Sequence, residues 1–351
     1  MVNEGCVRGV FSSREIPDRV SKAVGVSVVS KSGPGWWEEA RKYRVVIVWF
    51  EKVTSQMLSA PGCIRLLIAR SSGYDHIDVE AAERAGVCVV NQPEIIAESV
   101  AEHALAGILA AARGLPGALR ETLSWVERGW PGLRLRPILV HGRRIGLLGA
   151  GRIAAALMRR LTPFQPRRVL YYSRTRKPWL EHNYRARPAT LEELFRESDI
   201  VVNSLPLSRE TKELVRLHHL LSMPKNAIYV NVGRGGTEEP GAVCEASRIR
   251  PDLRIVADVH PREPLPPGSK RFTLTEKPWN VLTPHMAGAS LESSIATTLL
   301  ALLQARDYLE RNCVWNPITR VCPKPCGPPY GPLDAIETAR KILEELKENK
   351  L

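Results

Sequence analysis

The chain has 351 residues, a formal net charge of +13, 44% hydrophobic residues and 25% charged ones. Such a chain makes one large or two ordinary domains with real cores, and its balance is globular rather than disordered or fibrous. No unbroken apolar run reaches the ~18 residues of a membrane span, and Met1-Val2-Asn3-Glu4 lacks the basic-then-apolar start of a secretory signal. A cytoplasmic location without a membrane partner is therefore expected.

Apolar runs predict strands at 7–11, 26–29, 43–50, 64–69 and 87–90, with helices near 55–58 and 79–85. The run at 43–50 has the continuous apolar character of a parallel strand buried on both faces. Strand and helix in alternation predict a doubly wound α/β unit. Ser99-Val100-Ala101-Glu102 has the spacing of a capping box, ahead of a helix stopped by Gly114 and Pro116. The stretch 120–140 breaks the rhythm. With Trp125 and Trp130 it is either an arm packed on a second subunit, giving a homodimer, or a long loop.

A second α/β unit follows, with strands ahead of Gly149 and at 169–172, 200–203, 227–230, 254–257 and 281–282. Thr190-Leu-Glu-Glu193 caps one of its helices. A helix at about 291–311 returns the chain to the first domain. The expected domains are 1–98 with 289–320, then 99–288, with a tail at 321–351 that ends in a charged helix.

The seven cysteines read as buried or incidental thiols. Cys322 and Cys326 are close, but two further zinc ligands are missing. A local disulfide between them is the alternative, rare in a cytosol outside hyperthermophiles.

Gly149-Ala150-Gly151-Arg152-Ile153-Ala154 sits between an apolar strand and a helix. This is the dinucleotide fingerprint with alanine at its third small position. Its first glycine permits the turn, its second lets a pyrophosphate approach the backbone, and its third position packs helix on strand. The helix N-terminus offers N–H groups to the phosphates. Between Arg143 and Lys177 lie ten basic residues and no acid. A phosphate-rich cofactor explains part of that charge, and nucleic-acid binding is the runner-up. About 20 residues past the turn, a carboxylate would favour NAD. Here Ser173-Arg174-Thr175-Arg176-Lys177 has none. Arg174 suits adenine or a 2′-phosphate, so NADP is favoured over NAD.

Three stretches each follow a predicted strand: Asn231-Val232-Gly233-Arg234-Gly235, Asp258-Val259-His260-Pro261-Arg262-Glu263-Pro264 and Thr283-Pro284-His285-Met286-Ala287-Gly288. Ligands sit off the carboxyl ends of strands in open α/β sheets, so all three can converge. Hydride transfer to a 2-oxo acid needs a cation for the carboxylate and carbonyl, and an acid near neutral pH. Arg234 suits the first task and His285, with Glu263 beside it, the second. His260 competes with His285.

These stretches resemble those of the D-isomer-specific 2-hydroxyacid dehydrogenases. So do Ser71-Ser72-Gly73-Tyr74-Asp75-His76-Ile77-Asp78, Val100-Ala101-Glu102 and Leu205-Pro206-Leu207-Ser208-Arg209-Glu210-Thr211. The look of 171–177 is closest to archaeal glyoxylate and hydroxypyruvate reductases. The resemblance implies a Rossmann dinucleotide-binding domain inserted into a flavodoxin-like substrate domain. It places the catalytic residues at Arg234, Glu263 and His285, and the substrate-carboxylate loop at Ser72 and Gly73. It places cofactor contacts at Val100, Gly149, Gly151, Arg152, Ile153, Ser173, Arg174 and Thr175, then at Leu205, Pro206, Thr211, Val232, Gly233, Asp258 and Ala287. Three departures stand out: His260-Pro261 for an aromatic–glutamate pair, Val232-Gly233 for threonine–alanine, and Ala287 for glycine.

The expected reaction is reduction of a small 2-oxo acid, glyoxylate or hydroxypyruvate first, to the D-2-hydroxy acid. Phosphoglycerate, D-lactate, formate or phosphite oxidation are the alternatives on the same fold. A dinucleotide-sensing corepressor is the alternative without catalysis.

Overall fold

The structure is a computed structural model that describes residues 6–16, 18–122, 136–327 and 332–348. The expected arm around Trp125 and Trp130 lies outside the described residues. The strands are β1 (Val7–Ser12), β2 (Val28–Ser30), β3 (Tyr43–Val48), β4 (Leu66–Ala69), β5 (Cys88–Asn91), β6 (Arg144–Leu148), β7 (Arg168–Tyr172), β8 (Arg187–Pro188), β9 (Ile200–Asn203), β10 (Ile228–Asn231), β11 (Arg254–Ala257) and β12 (Val281–Leu282). The helices are α1 (Asp18–Val24), α2 (Trp36–Ala40), α3 (Ser55–Leu58), α4 (Val79–Arg84), α5 (Pro93–Arg113), α6 (Leu115–Thr122), α7 (Arg152–Leu161), α8 (Pro178–Tyr184), α9 (Leu191–Glu197), α10 (Leu217–Ser222), α11 (Ala242–Ile249), α12 (Leu291–Arg311) and α13 (Pro332–Glu348). Two compact units result, Met1–Ile96 with Ala289–Leu351, and Ala97–Gly288.

The first unit holds a five-stranded parallel sheet in the order β2-β1-β3-β4-β5, the flavodoxin-like order. Successive side chains of a strand point to opposite faces. Val45 and Ile47 therefore pack with Ala296, Leu299 and Leu303 of α12, while Val46 and Val48 join Leu58 of α3 and Ala81 of α4. Both faces are covered, which is why the run reads as continuously apolar. The tail belongs to this unit, because Ala335 and Ala339 of α13 are buried in the α12 cluster.

The cysteine expectation is corrected here. Disulfides join Cys6 to Cys63, Cys88 to Cys322 and Cys313 to Cys326, and Cys244 is the free thiol. The pairs are 57, 234 and 13 residues apart, so spacing along the chain could not reveal them.

The second unit is a seven-stranded parallel sheet, β12-β11-β10-β9-β6-β7-β8. The capping-box expectation for α5 fails. The helix starts at Pro93, six residues before Ser99, because proline fits the first turn of a helix. Ser99 Oγ instead donates to the Ala287 carbonyl (2.8 Å), and Glu102 pairs with Arg160. Residues Ile95–Arg113 are also long and apolar enough, by length and composition, to cross a membrane. Half of that stretch is buried in the protein, and Gly107 shows how tightly. A Cβ there would come within 2.5 Å of Val256 in β11.

Arg254 opens β11 with 1% of its surface exposed. Its guanidinium donates to the Ala111 carbonyl near the end of α5 (2.7 Å) and to the Arg136 carbonyl, and lies over the Trp279 ring. Burial pushes it down to about 10.

The basic run is partly neutralised from outside itself. Asp199 takes Arg144 and lies 4.0 Å from Arg143, Glu98 takes Arg159 and Arg160, Glu197 takes Arg168, and Glu181 takes Arg176. At Asp199 burial opposes the charge, but hydrogen bonds from Arg144 hold the carboxyl below its ordinary value.

Candidate active site

The glycine turn forms between β6 and α7. Gly149 has φ of +92°, and a Cβ there would press on Ser204 Oγ and Leu205 N at 3.1 and 3.2 Å. Only glycine sits easily in that conformation. Gly151 is the helix N-cap and brings no side chain to the first N–H groups of α7. A Cβ on it would meet nothing within 4 Å, so the backbone faces open space where a pyrophosphate could approach. Ala154 is buried at the third small position, while Arg152 and Ile153 begin the helix.

At the end of β7, Ser173 is half-buried and Arg174 and Thr175 are exposed. Arg176 is taken by Glu181. Among the described residues no carboxylate lies within ion-pair distance of Arg174, although its charge helps to hold Glu210 below its ordinary value. Beyond β9, Leu205 is buried with its N–H held by Asn203 Oδ1 (3.1 Å). Thr211 Oγ1 donates to the Pro206 carbonyl (2.6 Å) and accepts from Ser208 N (2.8 Å), folding the 206–211 loop on itself. Val100 is buried on α5.

Arg234 follows β10, Asp258 follows β11 and His285 follows β12. These strands are neighbours and parallel, so their carboxyl ends lie along one edge of the sheet. Two close approaches knit the loops. A Cβ on Gly233 would lie 2.5 Å from the Leu205 carbonyl, and one on Gly235 would lie 2.0 Å from the His260 carbonyl carbon. The first explains why glycine, not alanine, follows the buried Val232. Arg234 Nη1 donates to the Gly233 carbonyl (2.8 Å), and its own carbonyl accepts from Thr237 Oγ1 (2.6 Å).

Asp258 is 1% exposed and holds the next loop. Its Oδ1 accepts from Thr283 Oγ1 (2.6 Å) and Met286 N (2.9 Å), and its Oδ2 from Ala287 N (2.9 Å). His103 Nε2 lies 3.0 Å from Thr283 Oγ1. The Asp258 carbonyl accepts from His285 N (2.7 Å). His285 takes the left-handed conformation, φ +51°, and its Nδ1 lies 2.6 Å from Glu263 Oε2. Glu263 Oε1 accepts from His260 N (2.7 Å). Burial raises the Glu263 carboxyl, but the bonds from His285 and His260 outweigh it and leave the group below its ordinary value. His260 is buried, and its Nε2 donates to the Thr283 carbonyl (3.0 Å). The two histidines differ in setting: His260 Nε2 is tied to backbone, while His285 Nδ1 lies against a carboxylate.

In the first unit Ser72 and Gly73 lie just after β4. The Ser72 carbonyl accepts from Asn91 Nδ2 (2.7 Å), and Ser71 Oγ donates to the Gly73 carbonyl (2.6 Å). That loop is folded by its own neighbours.

The sequence model described as D-isomer specific 2-hydroxyacid dehydrogenase, NAD binding domain, matches residues 105–287. The chain belongs to that family. The dehydrogenase is 34% identical over 306 residues to the glyoxylate reductase of Aeropyrum pernix, covering 83% of this chain and 90% of that one. It is 31% identical over 339 residues to the glyoxylate reductase of Korarchaeum cryptofilum, covering 90% and 98%. A crystal structure of a Thermus thermophilus protein superposes with a TM-score of 0.78 at 28% identity, covering 88% of the dehydrogenase and 99% of that chain.

The dehydrogenase is an oxidoreductase with a nicotinamide dinucleotide domain, and the open face at Gly151 fits such a cofactor. Two buried groups escape a reading of motifs. Glu238 and Arg271 form an ion pair at 2.8 Å with side chains 1% and 7% exposed. Asn203 and Asn231 end adjacent strands in register and brace the turns that follow. Glutamate at 238, four residues past a candidate arginine, was the signal available for the first. Its partner 33 residues on was not.

Proposed function

We propose that the dehydrogenase reduces a small 2-oxo acid, glyoxylate or hydroxypyruvate first, to the D-2-hydroxy acid with NADPH. The observation that carries the reading is the Nδ1–Oε2 contact of 2.6 Å between His285 and Glu263. Glu263, ionised at neutral pH, accepts a hydrogen bond from His285 Nδ1–H and fixes the ring. Nε2 then gives a proton to the carbonyl oxygen as the alcohol forms, and in the reverse direction takes it back. Arg234 holds the carboxylate and polarises the carbonyl, because its planar fork matches oxygen pairs and does not deprotonate. Asp258 keeps the His285 loop in place, with Ala287 at its end. When bound, NADPH supplies the hydride to the carbonyl carbon.

For the cofactor, Gly149, Gly151, Arg152 and Ile153 line the phosphate turn, and Ser173, Arg174 and Thr175 the adenosine end. Leu205, Pro206, Thr211, Val232, Gly233 and Val100 border the rest. Support for NADP is the absence of a carboxylate from 173–177 and the availability of Arg174. The glyoxylate reductase relatives support the substrate class.

The test is cofactor oxidation with glyoxylate, hydroxypyruvate, pyruvate and 3-phosphohydroxypyruvate, each with NADPH and NADH. Turnover with the first two and NADPH supports the reading. Cofactor binding without turnover of any of the four overturns it.

A further inference from the structure

We infer that the buried Glu238–Arg271 pair positions Arg234, through Asn231. The inference rests on the substrate-binding role given to Arg234 above. Arg234 stands on a turn whose geometry is set by its own carbonyl and by Gly233 N. Both are held by one side chain: Asn231 Nδ2 donates to the Arg234 carbonyl (3.3 Å), and Asn231 Oδ1 accepts from Gly233 N (3.1 Å). A primary amide has nearly the same shape either way round, so something must decide which end faces which. Glu238 does. Its Oε1 accepts a second bond from Asn231 Nδ2 (2.8 Å). An ionised carboxylate accepts and never donates, so it admits only the amide NH₂ and turns Oδ1 toward Gly233.

That carboxylate is 2% exposed as a residue, and burying it alone would be prohibitive. Arg271, from the 3-10 helix Lys270–Glu276, supplies the counter-charge at Oε2 (2.8 Å). Burial lowers the Arg271 guanidinium, but the charge and hydrogen bond of Glu238 outweigh it and leave it raised. Replacing such a pair by apolar side chains of similar volume is often neutral or stabilising. Stability alone therefore gives little reason for two charges here, whereas an obligate acceptor facing Asn231 does. A second brace acts on the same carbonyl. Asn203 Nδ2 donates to Thr237 Oγ1 (2.9 Å), which donates to the Arg234 carbonyl.

Two variants of the full-length protein separate orientation from packing. Glu238→Met/Arg271→Met removes the ion pair and the acceptor. Glu238→Gln/Arg271→Met removes the ion pair but keeps an acceptor oxygen within reach of Asn231, in an amide free to turn and present it. The first is expected to lose about tenfold or more in kcat/KM for glyoxylate, with KM raised, at unchanged NADPH Kd. The second is expected to recover to within about threefold of wild type. Equal activity in the two variants overturns the inference, as does a first variant with wild-type kcat/KM. Should the first not fold, Asn231→Leu leaves the ion pair intact and is expected to show the same loss. Wild-type kcat/KM in that variant overturns the inference equally. Wild-type protein that reduces no 2-oxo acid would instead overturn the role of Arg234 itself.

Discussion

His285 Nδ1 and Glu263 Oε2 lie 2.6 Å apart although 22 residues separate them in the chain. The contact depends on a left-handed backbone at His285 and on a carbonyl from Asp258 that holds its N–H. A non-glycine residue in that conformation is costly and persists when its surroundings over-determine it. Here the surroundings are the three bonds to the Asp258 carboxylate and one to its carbonyl.

The Glu263 carboxyl is held below its ordinary value: burial raises it, and the bonds from His285 and His260 outweigh that. Its folded pKa is depressed, so the charge persists at neutral pH and is lost only as pH falls through the lowered value. Glu263→Gln removes the charged acceptor that holds His285 Nδ1 and should lower kcat/KM for glyoxylate by about tenfold or more at pH 7. Steady-state kinetics checks this, and a variant within about twofold of wild type would mean that the carboxylate does not act on His285.

Arg174→Ala should raise KM for NADPH by about tenfold, the value of one charge-assisted hydrogen bond, and leave KM for NADH nearly unchanged. Steady-state kinetics with both cofactors checks this. Equal effects on the two would place Arg174 on the adenine rather than on a 2′-phosphate.

Asp252 predicts how the fold responds to acid. Its side-chain bonds from Arg250 (2.8 and 2.7 Å) lower it most, burial opposes them, and Asn226 N adds a further bond, leaving it at about 2. Because the folded value lies below the unfolded one, the stabilisation is present above about pH 4 and is lost as pH falls toward 2. It amounts to about 2 kcal/mol. Asp252→Asn should lower Tm at pH 7 and flatten the fall of Tm between pH 5 and 2. Parallel Tm curves for variant and wild type would contradict this.

Under denaturing, non-reducing conditions the protein should present one reactive thiol, Cys244. Seven reactive thiols would contradict the disulfide assignment. Cys322→Ala opens the cross-link that spans 234 residues and should cost about 2–5 kcal/mol of stability. Differential scanning calorimetry reads that loss.

Local signals carried much of the architecture into the sequence. Tyr43–Val48 announced a strand buried on both faces, and the Gly149–Ala154 turn a strand meeting a helix, because each depends on residues adjacent in the chain. Thr190 was legible as a cap for the same reason, accepting from Glu193 N. Ser99 carried the same pattern and misled, since Pro93 had already opened the helix. The disulfides, the Arg254 contacts with Ala111 and Arg136, and the Glu238–Arg271 pair join residues from 13 to 234 positions apart. Only the folded chain brings those partners together. Asp258 was legible as a candidate residue, but its hold on the loop 283–287 was not.

The most direct test of the account is kcat/KM for glyoxylate with NADPH in wild type, Arg234→Ala and His285→Ala, with NADPH Kd measured on each. The account predicts turnover by the wild type, a loss of at least about a hundredfold in both variants, and unchanged cofactor binding. Variants that bind NADPH and reduce glyoxylate within a few-fold of the wild-type rate would contradict it.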